Sequence, residues 1–259
     1  MDFGITGKRA LVTGASRGIG RAIALCLAKE GVKVAVCART APELKQLVKD
    51  MGGIEQGHYD VTADLTEEHI PRKVVSELQK NFGQIDIVVN NVGSTLELRD
   101  PFCPLEDWRK VYRINLEVAI ELNNAVLPYM REKQWGRIVN IGSTASMENN
   151  GPINYCTMKA ALMAYSRSLG RVLAQDGVVV SCIIPGAIYT DGGAWEQAMK
   201  ERPEHVRKYL VDRCPLGKFG EPEDIGYMAV YLSSALAKFC QGAVVPVDGG
   251  QSRHYFGQV

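Results

Sequence analysis

Short apolar runs alternate with helix-length amphipathic segments along this chain, and that alternation constrains the fold more than any other feature. The runs at 9–13, 33–37, 56–63, 85–90, 137–141, 178–184 and 243–247 are apolar at successive positions, so both faces of each must be covered. Strands of that kind belong to a parallel sheet between two layers of helices. Helical patterns at 18–30, 42–51, 67–81, 105–132, 155–175 and 222–233 supply the layers. The expected class is α/β, a doubly wound parallel seven-stranded sheet with helices on both faces. Ligand should then bind at the carboxyl ends of the strands, where the strand order reverses. A length of 259 residues suits one domain spanning 1–259 with a sizeable core. The stretch 189–218 interrupts the pattern. Long irregular loops in compact domains are usually functional, so it is expected to be a substrate lid.

Charge and cysteine usage narrow the partners. Thirty Lys and Arg oppose 29 Asp and Glu, a net charge of +1. Such a balance gives no electrostatic pull toward nucleic acid or a membrane surface. No 18-residue apolar stretch and no charged-then-apolar leader is seen, so a soluble cytoplasmic protein is expected. Cys26, Cys37, Cys103, Cys156, Cys182, Cys214 and Cys240 are scattered, without CxxC or Cys/His ligand spacing. They read as reduced, mostly buried thiols, and no metal site is expected. Cys156 has no well-placed His to activate it and is read as a packing residue.

The first strand runs straight into Thr13-Gly14-Ala15-Ser16-Arg17-Gly18-Ile19-Gly20, which opens the first helix. Glycines at these points allow a tight turn, close backbone approach to a pyrophosphate, and tight helix–strand packing. The helix N-terminus adds free N–H groups and a positive dipole end. Strand, glycine turn and helix in that order predict a Rossmann fold cradling a dinucleotide, with Gly14, Ser16, Arg17, Gly18, Ile19 and Gly20 around it. The second strand ends Val36-Cys37-Ala38-Arg39-Thr40, without the acidic residue that meets a ribose 2′-hydroxyl in NAD binders. Arg39 is placed for a 2′-phosphate instead, with Arg17 as a second guanidinium. The expected cofactor is NADP(H).

Tyr155 and Lys159 lie four residues apart in a helical segment, hence on one face. An ammonium beside a phenol favours the phenolate, and a tyrosine so tuned can pass a proton to or from a carbonyl or hydroxyl oxygen. The pair alone is not diagnostic, because the same spacing occurs on many solvated helices.

With Gly14, Gly18, Gly20, Tyr155 and Lys159 in place, the sequence resembles the short-chain dehydrogenase/reductase family, in its compact branch of about 250 residues. The likeness runs from Lys8 to about Gly250. Asn90-Asn91-Val92-Gly93 is similar to the family's Asn-Asn-Ala-Gly motif, which adds Asn91 and Gly93 to the cofactor site. Asp64, with Leu65 beside it, resembles the residue that meets the adenine ring. Asn115 in Ile114-Asn115-Leu116 and Ser143 in Ile141-Gly142-Ser143 complete a catalytic tetrad with Tyr155 and Lys159. Pro185-Gly186-Ala187-Ile188-Tyr189-Thr190 looks like the segment beside the nicotinamide, where the Ile188 backbone and the Thr190 hydroxyl would meet the carboxamide. Asp248-Gly249-Gly250 resembles the ending after the last strand. Three of these residues also have plain structural readings: Asn115 could bridge helix backbone, Ser143 could cap a turn, and Asp64 could cap the following helix.

The resemblance implies hydride transfer between the nicotinamide and a ketone or secondary alcohol. Tyr155 would be acid in reduction and base in oxidation. Lys159 would lower its pKa and hold the nicotinamide ribose. Ser143 would hydrogen-bond the substrate oxygen as charge develops there. Asn115 would hold a water linking Lys159 to solvent. The four-residue gap between Tyr155 and Lys159 argues against the enoyl-reductase relatives, whose gap is longer. A homotetramer is expected by the same resemblance.

The substrate is less legible. The likeness is to 3-oxoacyl-carrier-protein reductases and to sugar or polyol dehydrogenases alike. Reductases of the first kind place basic residues near the site mouth to meet an acidic carrier. Here Gln134 and Asp176 stand at two such places, with Arg131, Lys133 and Arg171 nearby. An acyl carrier protein is therefore possible but not favoured. Ser94, Thr95, Thr144, Asn149, Asn150, Trp195 and Met199 are expected to line a pocket for a small polar or acyl molecule. Asn149-Asn150-Gly151 reads equally as a turn. The aromatic-bearing tail 251–259 suggests docking on a neighbouring subunit. A non-catalytic NADP(H)-binding sensor or scaffold is the other class of function, and the complete tetrad argues for the enzyme.

Overall fold

The structure is a computed structural model that describes residues 1–148 and 150–253. Strands β1 (Arg9–Thr13), β2 (Lys33–Ala38), β3 (Tyr59–Thr62), β4 (Ile87–Asn90), β5 (Gly136–Ile141), β6 (Val178–Pro185) and β7 (Val244–Val247) form one sheet in the order β3-β2-β1-β4-β5-β6-β7. All six pairings are parallel, as the two-sided apolar runs require. Helices α1 (Gly18–Lys29), α2 (Ala41–Asp50), α3 (Ile70–Asn81), α4 (Leu105–Tyr112), α5 (Val118–Glu132), α6 (Ile153–Leu173) and α9 (Pro222–Ser233) flank the sheet, and α7 (Ala194–Glu201) and α8 (Pro203–Arg213) stand at its end.

Successive strand residues feed two separate cores. Val12, Val36 and Val89 pack under Ile23 and Leu27 of α1, Leu44 and Leu47 of α2, and Ile225 of α9. Their neighbours Leu11, Cys37 and Val88 pack under Leu78 of α3 and Leu122 and Met130 of α5 on the other face. The order reverses between β1 and β4, and the candidate site lies at the carboxyl ends of those strands.

Three expectations are corrected. The third strand is shorter than 56–63: Gly53 and Gly57, with φ of 89° and 83°, bracket a 3₁₀ turn at Ile54–Gln56 that delays strand entry to Tyr59. The single helix expected at 105–132 is interrupted by one π turn, Arg113–Glu117, between α4 and α5. The stretch 189–218 is not irregular throughout, because it contains α7 and α8, the latter opened by Pro203 in its first turn.

A buried polar chain joins the elements that carry the candidate catalytic residues. Asn90 Nδ2 donates to Asn123 Oδ1 at 2.9 Å and to Asn140 Oδ1 at 2.8 Å. Asn140 Nδ2 donates to Ser166 Oγ at 2.8 Å, and Asn123 Nδ2 to Tyr165 Oη at 3.2 Å. Satisfied bonds of this kind are strengthened in a low-dielectric interior, and these lock β4, β5, α5 and α6 in one lateral setting. No helix among the described residues is long and apolar enough to cross a membrane.

Candidate active site

The glycine turn does what its spacing predicts. Gly14 and Gly18 adopt φ of 63° and 56°, where a side chain would be strained. A Cβ at Gly20 would come within 2.6 Å of Asn91 Nδ2, so this third glycine serves packing. Asn91 Nδ2 donates to the carbonyls of Thr13 and Gly14, each at 3.1 Å, and ties the end of β4 to the turn across the switch point. No side chain caps α1, which leaves its first N–H groups turned to a cleft of about 730 Å³. Of the cofactor residues expected from sequence, all but Gly20 line that cleft. Its length from the α2 end to Pro185-Gly186 and its uncapped helix terminus fit a dinucleotide.

One end of the cleft carries Arg39, Thr40 and Glu43 on one side and Asp64, Leu65 and Thr66 on the other. Asp64 Oδ1 accepts from Thr66 N at 2.9 Å and from Thr66 Oγ1 at 2.6 Å. Burial raises the Asp64 pKa, but those bonds and the charge of Arg39 outweigh it and hold the carboxyl below its usual value. Arg39 is exposed at the rim. Arg17 reaches across the cleft instead, donating from Nη1 to the Gly192 carbonyl at 2.7 Å.

Farther along, Lys159 is buried and donates from Nζ to the Ile141 carbonyl at 2.9 Å. Burial lowers its pKa to about 8, against a smaller opposing effect of Cys182. Its Nζ lies 5.7 Å from the centre of the Tyr155 ring. The expected depression of the Tyr155 pKa is not what this geometry gives. Burial pushes the phenol above its ordinary value, the neighbouring Ser143 hydroxyl only partly opposes it, and the ammonium faces a carbonyl. Ser143 also accepts from Ala145 N at 3.2 Å and caps a short 3₁₀ turn, as its structural reading expects.

Asn115 makes two sets of backbone contacts. Its Nδ2 donates to the Val111 carbonyl at 2.9 Å, which bridges the helix backbone where the π turn widens it. The same group donates to Ser94 O at 2.7 Å, while Oδ1 accepts from Ser94 N at 3.1 Å. A Cβ on Gly93 would come within 2.8 Å of both Asn115 Oδ1 and Lys159 Nζ, so only glycine lets the two converge there. π turns occur often at functional sites. Cys156 beside Tyr155 meets the Gly151 carbonyl at 3.4 Å, and burial raises its pKa, which suits packing rather than nucleophilic chemistry.

The substrate residues divide. Ser94 and Trp195 line the cleft. Trp195 packs on Tyr209 and Phe219, with ring centres 4.6 and 5.1 Å away. Thr95, Thr144, Asn150 and Met199 do not line it. Thr144 is buried and accepts from Asn150 Nδ2 at 2.9 Å, so these two hold their own loop together. Thr95 accepts from Glu97 N at 3.2 Å, and Met199 faces outward on α7. Asn149 and residues 254–259, most of the tail, lie outside the described residues. Sequence reasoning missed Thr66, although a hydroxyl two residues after Asp64 is a turn signal. It also missed Ile141, which acts through its carbonyl and leaves no side-chain signature.

Residues 14–252 match the family described as Enoyl-(Acyl carrier protein) reductase. The chain is 34% identical to 3-oxoacyl-[acyl-carrier-protein] reductase of Aquifex aeolicus, over 96% of this chain and 99% of that one. It is 36% identical to the protein of the same name from Pseudomonas aeruginosa, over 95% and 98%. Among solved structures, 3-oxoacyl (acyl-carrier-protein) reductase from Agrobacterium tumefaciens with NADP bound superimposes with a TM-score of 0.88, at 28% identity over 96% of each chain. L-sorbose reductase from Gluconobacter frateurii, complexed with NADPH and L-sorbose, gives a TM-score of 0.84 at 30% identity, over 97% and 98%. Near-complete alignment with these relatives, on a sheet and cleft of the same design, makes this chain a member of the short-chain dehydrogenase/reductase family of oxidoreductases.

Proposed function

We propose that the chain is an NADP(H)-dependent enzyme that moves a hydride between nicotinamide and a ketone or secondary alcohol of a small polar or acyl substrate. The observation that carries this reading is the convergence of Ser143, Tyr155 and buried Lys159 on one wall of the dinucleotide cleft, beside Pro185-Gly186. Bound NADPH supplies the hydride. Tyr155 Oη gives the proton to the carbonyl oxygen in reduction and takes it back in oxidation. Ser143 Oγ hydrogen-bonds that oxygen as its charge grows. Lys159, anchored on Ile141, holds the nicotinamide ribose and stands behind Tyr155 as proton source. Asn115 orders the Gly93–Ser94 backbone beside Lys159 and keeps the relay water to solvent. Ile188 and Thr190 hold the carboxamide, and Gly14, Ser16, Gly18 and Ile19 carry the pyrophosphate. Asp64 and Leu65 meet the adenine, and residues 189–218 close over the substrate with Trp195 innermost.

The NADP(H) preference rests on Arg39, with Arg17 free to turn from Gly192 to the phosphate, and on the lack of an acid at the end of β2. Arg39→Ala should weaken NADPH binding by about tenfold and leave NADH binding near its original value. Fluorescence titration with both nucleotides checks this. Equal affinity of the unaltered protein for the two would sink the preference.

Reduction of a 3-oxoacyl group on acyl carrier protein is the second reading, and the curated relatives favour it. Local charge does not: Arg131 is paired with Asp176 at 2.8 Å just ahead of β5 and β6, at the strand ends opposite the cleft. NADPH oxidation with keto sugars, simple ketones and 3-oxoacyl thioesters decides between the readings. A folded protein that binds NADPH and reduces none of them would be a sensor or scaffold. Assembly as a homotetramer is supported by exposed Tyr227 and Tyr231 on α9, with Leu236 and Phe239 just beyond. The seven unpaired thiols suit the reducing cytoplasm.

A further inference from the structure

Arg113 opens the π turn, two residues before Asn115, and its side chain is 15% exposed. It points away from the catalytic groups, into the turn that follows β3. Its Nε donates to the Thr66 carbonyl at 3.0 Å. Its Nη2 donates to the carbonyls of Leu65 at 3.3 Å and Glu67 at 2.9 Å. One guanidinium thus gathers three consecutive carbonyls, which suits its rigid planar fork of donors. The remaining edge faces two carboxylates, one on α5 and one at the end of the π turn: Nη1 lies 2.7 Å from Glu121 Oε1 and 3.3 Å from Glu117 Oε2. Those charges offset the cost of holding a cation half-buried.

Elsewhere the turn is held by Leu65, buried in the core under α3 and α5, and by Ala63 N donating to the Ala38 carbonyl at 2.9 Å. Between β3 and α3 its own bonds are those from Thr66 and Glu67 back to Asp64 and a closing bond from Ile70 to Glu67. Yet Asp64, Leu65 and Thr66 form a wall of the cleft opposite Arg39. We propose that Arg113 is a positioning residue for the adenylate half of the cofactor, setting the Asp64–Leu65–Thr66 wall from the helix that also carries Asn115. The inference rests on the NADP(H) reading and extends it to a residue outside the cleft.

The test compares Arg113→Met, which keeps the stem and removes the fork, with Arg113→Lys, which restores one point charge. Calorimetry with 2′,5′-ADP reads the adenylate half alone, and steady-state kinetics reads the whole cofactor. Arg113→Met should weaken 2′,5′-ADP binding and raise the KM for NADPH by about tenfold each, with kcat at saturating NADPH within about threefold of the original. Arg113→Lys should fall between. Unchanged 2′,5′-ADP affinity in Arg113→Met, or a fall in kcat with KM unmoved, overturns the proposal. If Arg113→Met does not fold, Arg113→Lys decides: unaltered 2′,5′-ADP affinity overturns it and weakened affinity supports it. Unaltered protein that binds 2′,5′-ADP no better than 5′-AMP overturns the NADP(H) preference instead, and the role of Arg113 is then read from 5′-AMP in the same variants.

Discussion

Replacing Tyr155 with phenylalanine is expected to lower turnover by about 10²–10⁴-fold, the usual contribution of a positioned proton donor, and to leave NADPH affinity nearly unchanged. Single-turnover NADPH oxidation under saturating ketone checks it, and wild-type turnover in the variant would end the assignment. The direction of the Tyr155 shift adds a pH signature. A phenol held above its ordinary value by burial stays protonated through neutral and mildly alkaline pH. Reduction needs the protonated form, so its rate should stay flat over that range. Oxidation needs the phenolate and should climb with pH over the same range. A flat reduction rate beside a climbing oxidation rate would locate the effect on Tyr155 rather than on general stability.

Lys159→Met should separate activity from stability. The ammonium has an ordinary value of 10.5 and is lowered by burial to about 8 in the fold. Between those two values the unfolded chain binds a proton that the folded chain does not, so stability rises with pH across that window. Below about pH 8 the fold bears the full cost of the buried cation, on the order of 3 kcal/mol; above 10.5 the cost is gone. Methionine removes the cost and leaves the Ile141 carbonyl without its donor, a loss of about 1–3 kcal/mol. The expected balance at pH 7 is a variant as stable as the original or more so by up to about 2 kcal/mol, a melting point up to ~8 °C higher. Turnover should fall by a factor comparable to that of Tyr155→Phe. Denaturant unfolding at pH 7 and pH 10 is the check. A variant clearly less stable at pH 7, or one that does not lose about 2–3 kcal/mol relative to the original between pH 7 and pH 10, contradicts the buried-cation account.

How far the sequence was legible depended on how local each cause was. Gly14, Gly18 and the Tyr155–Lys159 spacing could be read because their roles are steric or helical and need only a few neighbours. The π turn could not, because the apolar pattern over 105–132 runs on unbroken; the break is held by the Asn115 carboxamide on Val111. α7 and α8 were read as loop because each buries a single apolar residue, Ala198 and Val206, too few to set a period. Thr144 and Asn150 looked like substrate contacts because polarity was visible and their mutual bond was not. The sign of the Tyr155 shift failed for a related reason: sequence shows the nearby charge but not how deeply the phenol is enclosed. Arg113 reads from sequence as one more surface charge, since the three backbone carbonyls it gathers lie far away along the chain.

The strand order also bears on how the chain leaves the ribosome. β1 to β3 can pair first, and β4, β5, β6 and β7 then join one after another on the same growing side. In the finished sheet both outer strands, β3 and β7, are only four residues long, which gives a stray strand little to pair with. Until β7 arrives, the outer strand is β6, eight residues of unbroken burial from Val178 to Pro185. A product ending between 186 and 243 would keep that strand as its open border, and it should aggregate rather than persist as a folded fragment.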